Sequence, residues 1–93
     1  FSLQMINTLY QSGATEDASA MAEEAYRSFE QMLAYLMSMP DHFLVSGDVN
    51  EEIQRNFFYL QKLERTCRAS GDAELSARIT KTIEEYLRKY PGQ

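Results

Sequence analysis

Three segments of the chain repeat their apolar residues at the spacing of an α-helix, and this feature constrains the fold most. Apolar residues recur at i, i+3, i+4 and i+7, whereas no long stretch alternates apolar and polar residues as a strand would. The pattern predicts an all-α fold. The predicted core residues are Ala18, Met21, Ala22, Ala25, Phe29, Met32, Leu33 and Leu36, then Ile53, Phe57, Leu60, Leu63 and Cys67, and then Leu75, Ile79, Thr82, Ile83, Tyr86 and Tyr90.

Start and stop signals divide the 93 residues into four predicted helices. An opening helix in residues 1–12 carries Leu3, Met5, Ile6, Leu9 and Tyr10 on a broad face. The other three are 16–39 after the N-cap Thr15, 48–70 opened by a capping box of Asp48 and Glu51, and a last helix from the N-cap Asp72 to Pro91. Pro40 forbids continuation of the second helix, and Gly71 suits the left-handed position that ends the third.

A weak internal repeat groups these helices in pairs. Ser12-Gly13 and Ser70-Gly71 each separate two helices, and the second helix of each pair ends in Tyr-Leu-x-x-x-Pro, at Tyr35 and Tyr86. We therefore predict two antiparallel helical hairpins that form a small bundle, in one domain covering residues 1–93.

The charge is unevenly distributed along the chain. Residues 1–54 hold one basic and nine acidic residues, a net −8, whereas residues 55–93 hold eight basic and five acidic residues, a net +3. The overall −5 disfavours a general binder of nucleic acid or anionic membranes. The split favours two halves that face each other, or a partner that faces one half. Apolar runs are only a few residues long, which predicts no membrane span, and we expect a cytoplasmic protein.

The carboxylates do not indicate a catalytic or metal centre. Six acidic residues precede a basic residue by four positions, in the favourable orientation for pairs on a helix surface. These pairs are Glu23/Arg27, Glu51/Arg55, Glu64/Arg68, Glu74/Arg78, Glu84/Arg88 and Glu85/Lys89. Because no Glu-x-x-His motif occurs, a di-iron bundle is also disfavoured, and we predict no metal and no cofactor.

The single histidine and single cysteine do not point to catalysis either. His42 lies in a predicted loop without an evident nucleophile beside it, and Cys67 falls on the predicted core stripe, where a thiol behaves as a small hydrophobe. The four glycines are isolated and form no phosphate-binding loop. The sequence therefore predicts a non-enzyme.

Two groups of apolar residues raise the question of what covers them. Phe43, Leu44 and Val45 lie consecutively in the predicted loop, where they either fold over the end of the bundle or contact a partner. Among the methionines, only Met37 and Met39 are expected to stay accessible, as an adaptable surface.

Phe58 is the most informative candidate. On the third predicted helix it projects away from the Leu60 side, between Arg55, Lys62 and Arg65. An aromatic ring among cations has the composition of a protein-interface hot spot, and also that of a base-stacking, phosphate-contacting surface. A third interpretation packs Phe58 on the first helix beneath the basic side chains.

From these observations we expect a non-catalytic protein–protein interaction module, such as a small adaptor, a regulatory subunit or a secretion-type chaperone. Its predicted protein-binding residues are Arg55, Phe58, Lys62, Arg65 and Phe43. The expected partner is another protein or a second copy of the chain. The alternative is a nucleic-acid-associated regulator that uses the basic face of the third predicted helix.

Overall fold

The computed structural model describes residues 2–92, which form five α-helices without any β-strand among them. They are α1 (Leu3–Gln11), α2 (Thr15–Met37), α3 (Asp41–Leu44), α4 (Gly47–Ala69) and α5 (Ala73–Lys89). The predicted all-α class is confirmed. Phe1 of the first predicted helix, and Gln93 at the other end of the predicted domain, lie outside the described residues.

The prediction of four helices is wrong by one short helix. The segment after Pro40, for which the sequence predicts a loop, contains α3, and the Phe43 N–H there donates to the Pro40 carbonyl at 2.9 Å. Leu44 is buried and holds this turn against the bundle, since burial of one large side chain contributes about 1.5–3 kcal/mol. A repeat of apolar residues at helical spacing cannot reveal a helix of four residues, because such a helix spans little more than one turn.

Two matching glycine motifs end α1 and α4. Gly13 and Gly71 both have positive φ angles, 89° and 83°, which glycine adopts without steric cost. After each glycine the next N–H reaches back to close the helix, from Ala14 to Leu9 at 3.0 Å and from Asp72 to Cys67 at 2.9 Å. Both ends are thus Schellman motifs, and the predicted left-handed role of Gly71 is confirmed.

Two of the three predicted N-caps are wrong, whereas the third is confirmed. Helix α2 begins at Thr15 itself, with Ala14 in the capping position. Helix α4 begins one residue before Asp48, and its cap residue Ser46 makes no side-chain hydrogen bond to the helix, so the predicted capping box is wrong. Asp72 does occupy the N-cap position of α5.

The core follows the predicted stripes, with exceptions on α2 and α5. All five predicted core residues of α4 are buried, and Cys67 is a free, buried thiol. On α5, Tyr86 is only partly buried. On α2, Met21 and Phe29 are only partly buried, and Met32 remains 46% exposed. Met32 is therefore wrongly assigned to the core.

Helices α2, α4 and α5 run alongside one another through the bundle. The polar pairs that join α2 to α5 include the Glu23–Arg78 ion pair, the Tyr26–Thr82 hydrogen bond of 2.6 Å and the Tyr86–Glu30 hydrogen bond of 3.3 Å. Residue numbers rise together in these pairs, so α2 and α5 run in the same direction. The grouping into two antiparallel hairpins stays a prediction.

Helix α1 covers only part of the opposite side of α2 and α4. Its end is anchored near the α4–α5 turn, where the Tyr10 hydroxyl donates to Asp72. Its beginning lies beside the second half of α4, because Leu3, Gln4 and Asn7 line a groove together with Lys62, Arg65 and Thr66. Helix α1 lies beside residues 17–24 of α2 and residues 62–69 of α4, so it does not reach the second half of α2 or the first half of α4, against which the short helix α3 packs.

Within residues 2–92, no helix is both long enough and apolar enough to cross a membrane.

Candidate interaction surface

Helix α4 places four predicted site residues on its outer face. Arg55, Phe58, Lys62 and Arg65 follow one another at spacings of three or four, so they form a continuous strip along the helix. Phe58 is 49% exposed, and the Lys62 Nζ lies 4.6 Å from the centre of its ring. The structure therefore brings these four residues together, with the ring open to solvent on one side and a cation over it.

The cations of this strip differ in whether they form an ion pair. Arg55 forms an ion pair with Glu52, and the predicted pair with Glu51 is not formed. Both carboxylates are within reach of Arg55 on a helix surface, at i−3 and i−4, and the structure uses the nearer one. Within residues 2–92, Lys62 and Arg65 form no ion pair.

Among the other predicted ion pairs, two are formed and one is replaced by a pair between helices. Glu23/Arg27 and Glu64/Arg68 are formed, at 2.9 and 3.3 Å. Arg78 forms its ion pair with Glu23 on α2 rather than with Glu74, and the hydrogen bond from Arg78 lowers the pKa of the Glu23 carboxyl. This is one direct ion pair between the acidic first half and the basic second half.

The aromatic surface extends beyond Phe58, to residues that the sequence did not single out. Tyr59 is 37% exposed, and its ring centre lies 6.2 Å from that of Phe58. On its other side Tyr59 stacks on Phe29 of α2, with ring centres 5.4 Å apart. Phe58, Tyr59 and Phe29 therefore form a row of rings that crosses from α4 to α2.

Met32 lies one helical turn beyond Phe29 on α2 and extends the same surface. We call the area formed by Phe29, Met32, Phe58 and Tyr59 the aromatic cleft. It lies beyond the start of α1, on parts of α2 and α4 that α1 does not reach. The signal in the sequence was the run Phe57-Phe58-Tyr59, since three successive helical residues cannot all face one core.

Phe43 lies apart from the strip on α4. It is on α3, 50% exposed, with its ring centre 4.2 Å from that of His42. Phe58 lies about three turns, or roughly 16 Å, beyond the start of α4. The predicted apolar loop is thus divided: Leu44 is buried and anchors the segment, while Phe43 and Val45 remain exposed. Met37 and Met39, predicted accessible, are partly buried against the core.

A polar cluster at the other end of α4, formed by Tyr10, Cys67 and Asp72, holds parts of the fold together. The Tyr10 hydroxyl donates to Asp72 Oδ2 at 2.6 Å and lies 3.7 Å from Cys67 Sγ. Burial raises the pKa of the Cys67 thiol, and burial together with the Asp72 hydrogen bond raises the pKa of Tyr10. Both groups are therefore neutral near pH 7, and the cluster fastens α1 to the α4–α5 turn.

The same cluster keeps Asp72 ionised. Burial alone would raise the pKa of this carboxyl, but the hydrogen bond that it accepts from Tyr10 helps to hold the pKa below its ordinary value. His42 lies on α3, before the beginning of α4, whereas Cys67 lies near the end of α4, so the two do not form a pair. Across residues 2–92, no group of three or more His, Cys, Asp or Glu side chains is arranged to hold a metal ion.

No protein family, curated protein or solved structure matches the chain in comparisons with known proteins.

Proposed function

We propose that the protein is a non-catalytic protein–protein interaction module, of the kind found in small adaptors, regulatory subunits and secretion-type chaperones. The observation that carries the proposal is the aromatic cleft with its cationic edge. Phe58, Tyr59 and Met32 expose 49%, 37% and 46% of their surfaces on adjacent helices. Leaving large apolar side chains in water forfeits up to about 1.5–3 kcal/mol each, and a partner recovers that free energy by covering them.

The composition of this surface suits a protein partner. Aromatic and arginine side chains dominate the free energy of protein interfaces, and methionine adapts to partners of different shape. Lys62 and Arg65 add positive charge beside the rings, which steers an acidic partner and fixes its orientation. Phe58 is the proposed anchor, with Arg55, Lys62 and Arg65 as its orienting cations.

Phe43 is a second, separate contact in this proposal. Its exposed ring and Val45 are held by the buried Leu44, so the short helix α3 presents them without being free to collapse onto the core. A partner that contacts both residues must reach from α3 to the outer face of α4.

The alternative, a nucleic-acid-associated regulator, uses the same strip on α4. Phe58 offers a ring for stacking, and Lys62 and Arg65 offer cations for phosphates. Two observations disfavour it: Arg55 is already paired with Glu52, and Glu51 and Glu52 lie at the beginning of the same helix. Phosphate-driven binding needs more uncompensated positive charge than this.

The proposal also covers the pairing of the helices and the location of the protein in the cell. We group α1 with α2, and α4 with α5, as two antiparallel hairpins, and we place the protein in the cytoplasm.

Affinity capture with the immobilised protein, read by mass spectrometry, tests the proposal. A protein partner should be retained by the native chain and lost from Phe58→Ala, whereas Ala77→Ser on the exposed face of α5 should retain it. Binding through apolar contacts should persist from low to physiological salt, while phosphate contacts weaken steeply over that range. A nucleic acid released by raised salt would favour the alternative.

A further inference from the structure

One long face of the molecule has two different halves, one occupied by α1 and the other by the aromatic cleft. Helix α1 has 9 residues and α4 has 23, which correspond to about 14 and 34 Å of helix. Helix α1 forms a ridge over one half of this face, and the aromatic cleft occupies the other half. Helix α1 therefore leaves roughly 20 Å of α4 beyond its reach, which exceeds its own length.

The outer side of the ridge has an unusual composition for a surface helix. Residues 3–11 contain no charged side chain, although charged residues make up 25% of the sequence. Met5 on this helix is 54% exposed. The remaining exposed residues, Gln4, Asn7, Thr8 and Gln11, are polar and uncharged. Depletion of charge is typical of the buried centre of an interface rather than of a solvated helix.

The exposed edge of α4 carries opposite charges at its two ends. Glu51 lies near the beginning of α4, and Lys62 and Arg65 lie in its second half. These three side chains form no ion pair within residues 2–92. Two such edges placed antiparallel put each acidic end against the cationic end of the other.

We propose that the aromatic cleft binds a second copy of this chain. A two-fold axis perpendicular to the helices turns one copy end for end, so that α1 of each copy lies over the aromatic cleft of the other. The same rotation brings Glu51 of each α4 towards Lys62 and Arg65 of the other. Such an interface is closed and self-complementary, as in most symmetric dimers.

The size of the face agrees with this arrangement. The molecule extends over 45 × 20 × 16 Å, so its long face offers the roughly 800 Å² per partner that specific interfaces commonly bury. This inference rests on the proposed function, because it names the partner of the same surface.

Sedimentation equilibrium of the purified chain, from low micromolar to several hundred micromolar, tests the inference. The native chain should show a monomer–dimer equilibrium. Met32→Glu places a charge in the cleft and should raise the dimer dissociation constant about thirtyfold. Ala77→Glu, which adds the same charge on exposed α5, should leave the constant unchanged. Circular dichroism and melting of each variant confirm that the fold is retained.

A charge exchange tests the two-fold arrangement. Lys62→Glu and Glu51→Lys should each weaken the dimer, and the double variant should recover most of the loss. These positions are eleven residues, about 16 Å, apart on one helix, so recovery requires contact between copies. A native chain that stays monomeric, a dimer that Met32→Glu does not weaken, or a double variant without recovery would each overturn the inference. A monomeric chain that still captures a different protein through Phe58 would leave the proposed function standing.

Discussion

The ring of Phe29 on α2 stacks on the ring of Tyr59 on α4, with an interplanar angle of 12°. This pair joins the two longest helices at the place where α1 no longer covers them. It therefore serves both as a packing contact and as the floor of the aromatic cleft. Because both side chains keep part of their surface in solvent, the pair stabilises the bundle less than a fully buried pair would.

A double-mutant cycle measures this stack. Phe29→Leu and Tyr59→Leu each remove one ring but keep apolar volume, so the coupling isolates the ring–ring contact. We expect a coupling free energy of about 0.5–1.5 kcal/mol in urea unfolding. Additive effects of the two substitutions would show that the rings do not interact in solution.

The sequence predicted the centre of the bundle better than its edges, for a physical reason. The stripe of α4 and the glycine at the end of that helix depend on local spacing and backbone geometry, which the sequence states directly. Met32 and Arg78 depend on neighbours instead. Met32 has the right spacing for the core, but α1 is too short to reach it, and Arg78 pairs with Glu23 because folding brings α2 beside α5.

The candidate site likewise has a local part, which the sequence predicts, and a part that depends on tertiary neighbours. Helical spacing predicts that Arg55, Phe58, Lys62 and Arg65 share a face, since that geometry is local. Tyr59 was missed because its role depends on the position of Phe29, which lies thirty residues earlier in the chain. The exposed cleft depends on where α1 begins relative to α4, a tertiary relationship that no local pattern contains.

Adjacent phenylalanines on α4 provide a matched test of which residue is core. Phe57 is 4% exposed and packs edge-on against Tyr90, with ring centres 6.4 Å apart, whereas Phe58 is 49% exposed. Phe57→Ala should lower the free energy of unfolding by about 3–5 kcal/mol. Phe58→Ala should lower it by about 1 kcal/mol or less, the size of its contact with Lys62. Equal losses in urea unfolding would mean that Phe58 is part of the core.

The Tyr10–Asp72 hydrogen bond should make stability depend on pH in acid. The pKa of Asp72 is lower in the folded chain, so its contribution is present above the ordinary carboxyl pKa and disappears as pH falls through the folded value. Asp72→Asn should therefore be less stable than the native chain near pH 7, with the difference shrinking below about pH 4.

Tyr10→Phe is the control for that experiment, because it removes only the donor. It should cost about 1–3 kcal/mol near neutral pH, as expected for a hydrogen bond to a charged group. It should also flatten the acid dependence of stability, measured by urea unfolding over a series of pH values. Native and Asp72→Asn profiles that run parallel from neutral to acid pH would show that Asp72 has no special role.

Photocrosslinking at position 58 tests most directly that the aromatic surface of α4 contacts a protein. With Phe58 replaced by p-benzoylphenylalanine, which keeps an aromatic ring there, irradiation of cells that make the protein should give a discrete crosslinked protein species. The same replacement at Ala77, on the exposed face of α5, should give none. A crosslink to nucleic acid, or no more protein crosslinking at position 58 than at position 77, would contradict the proposed function.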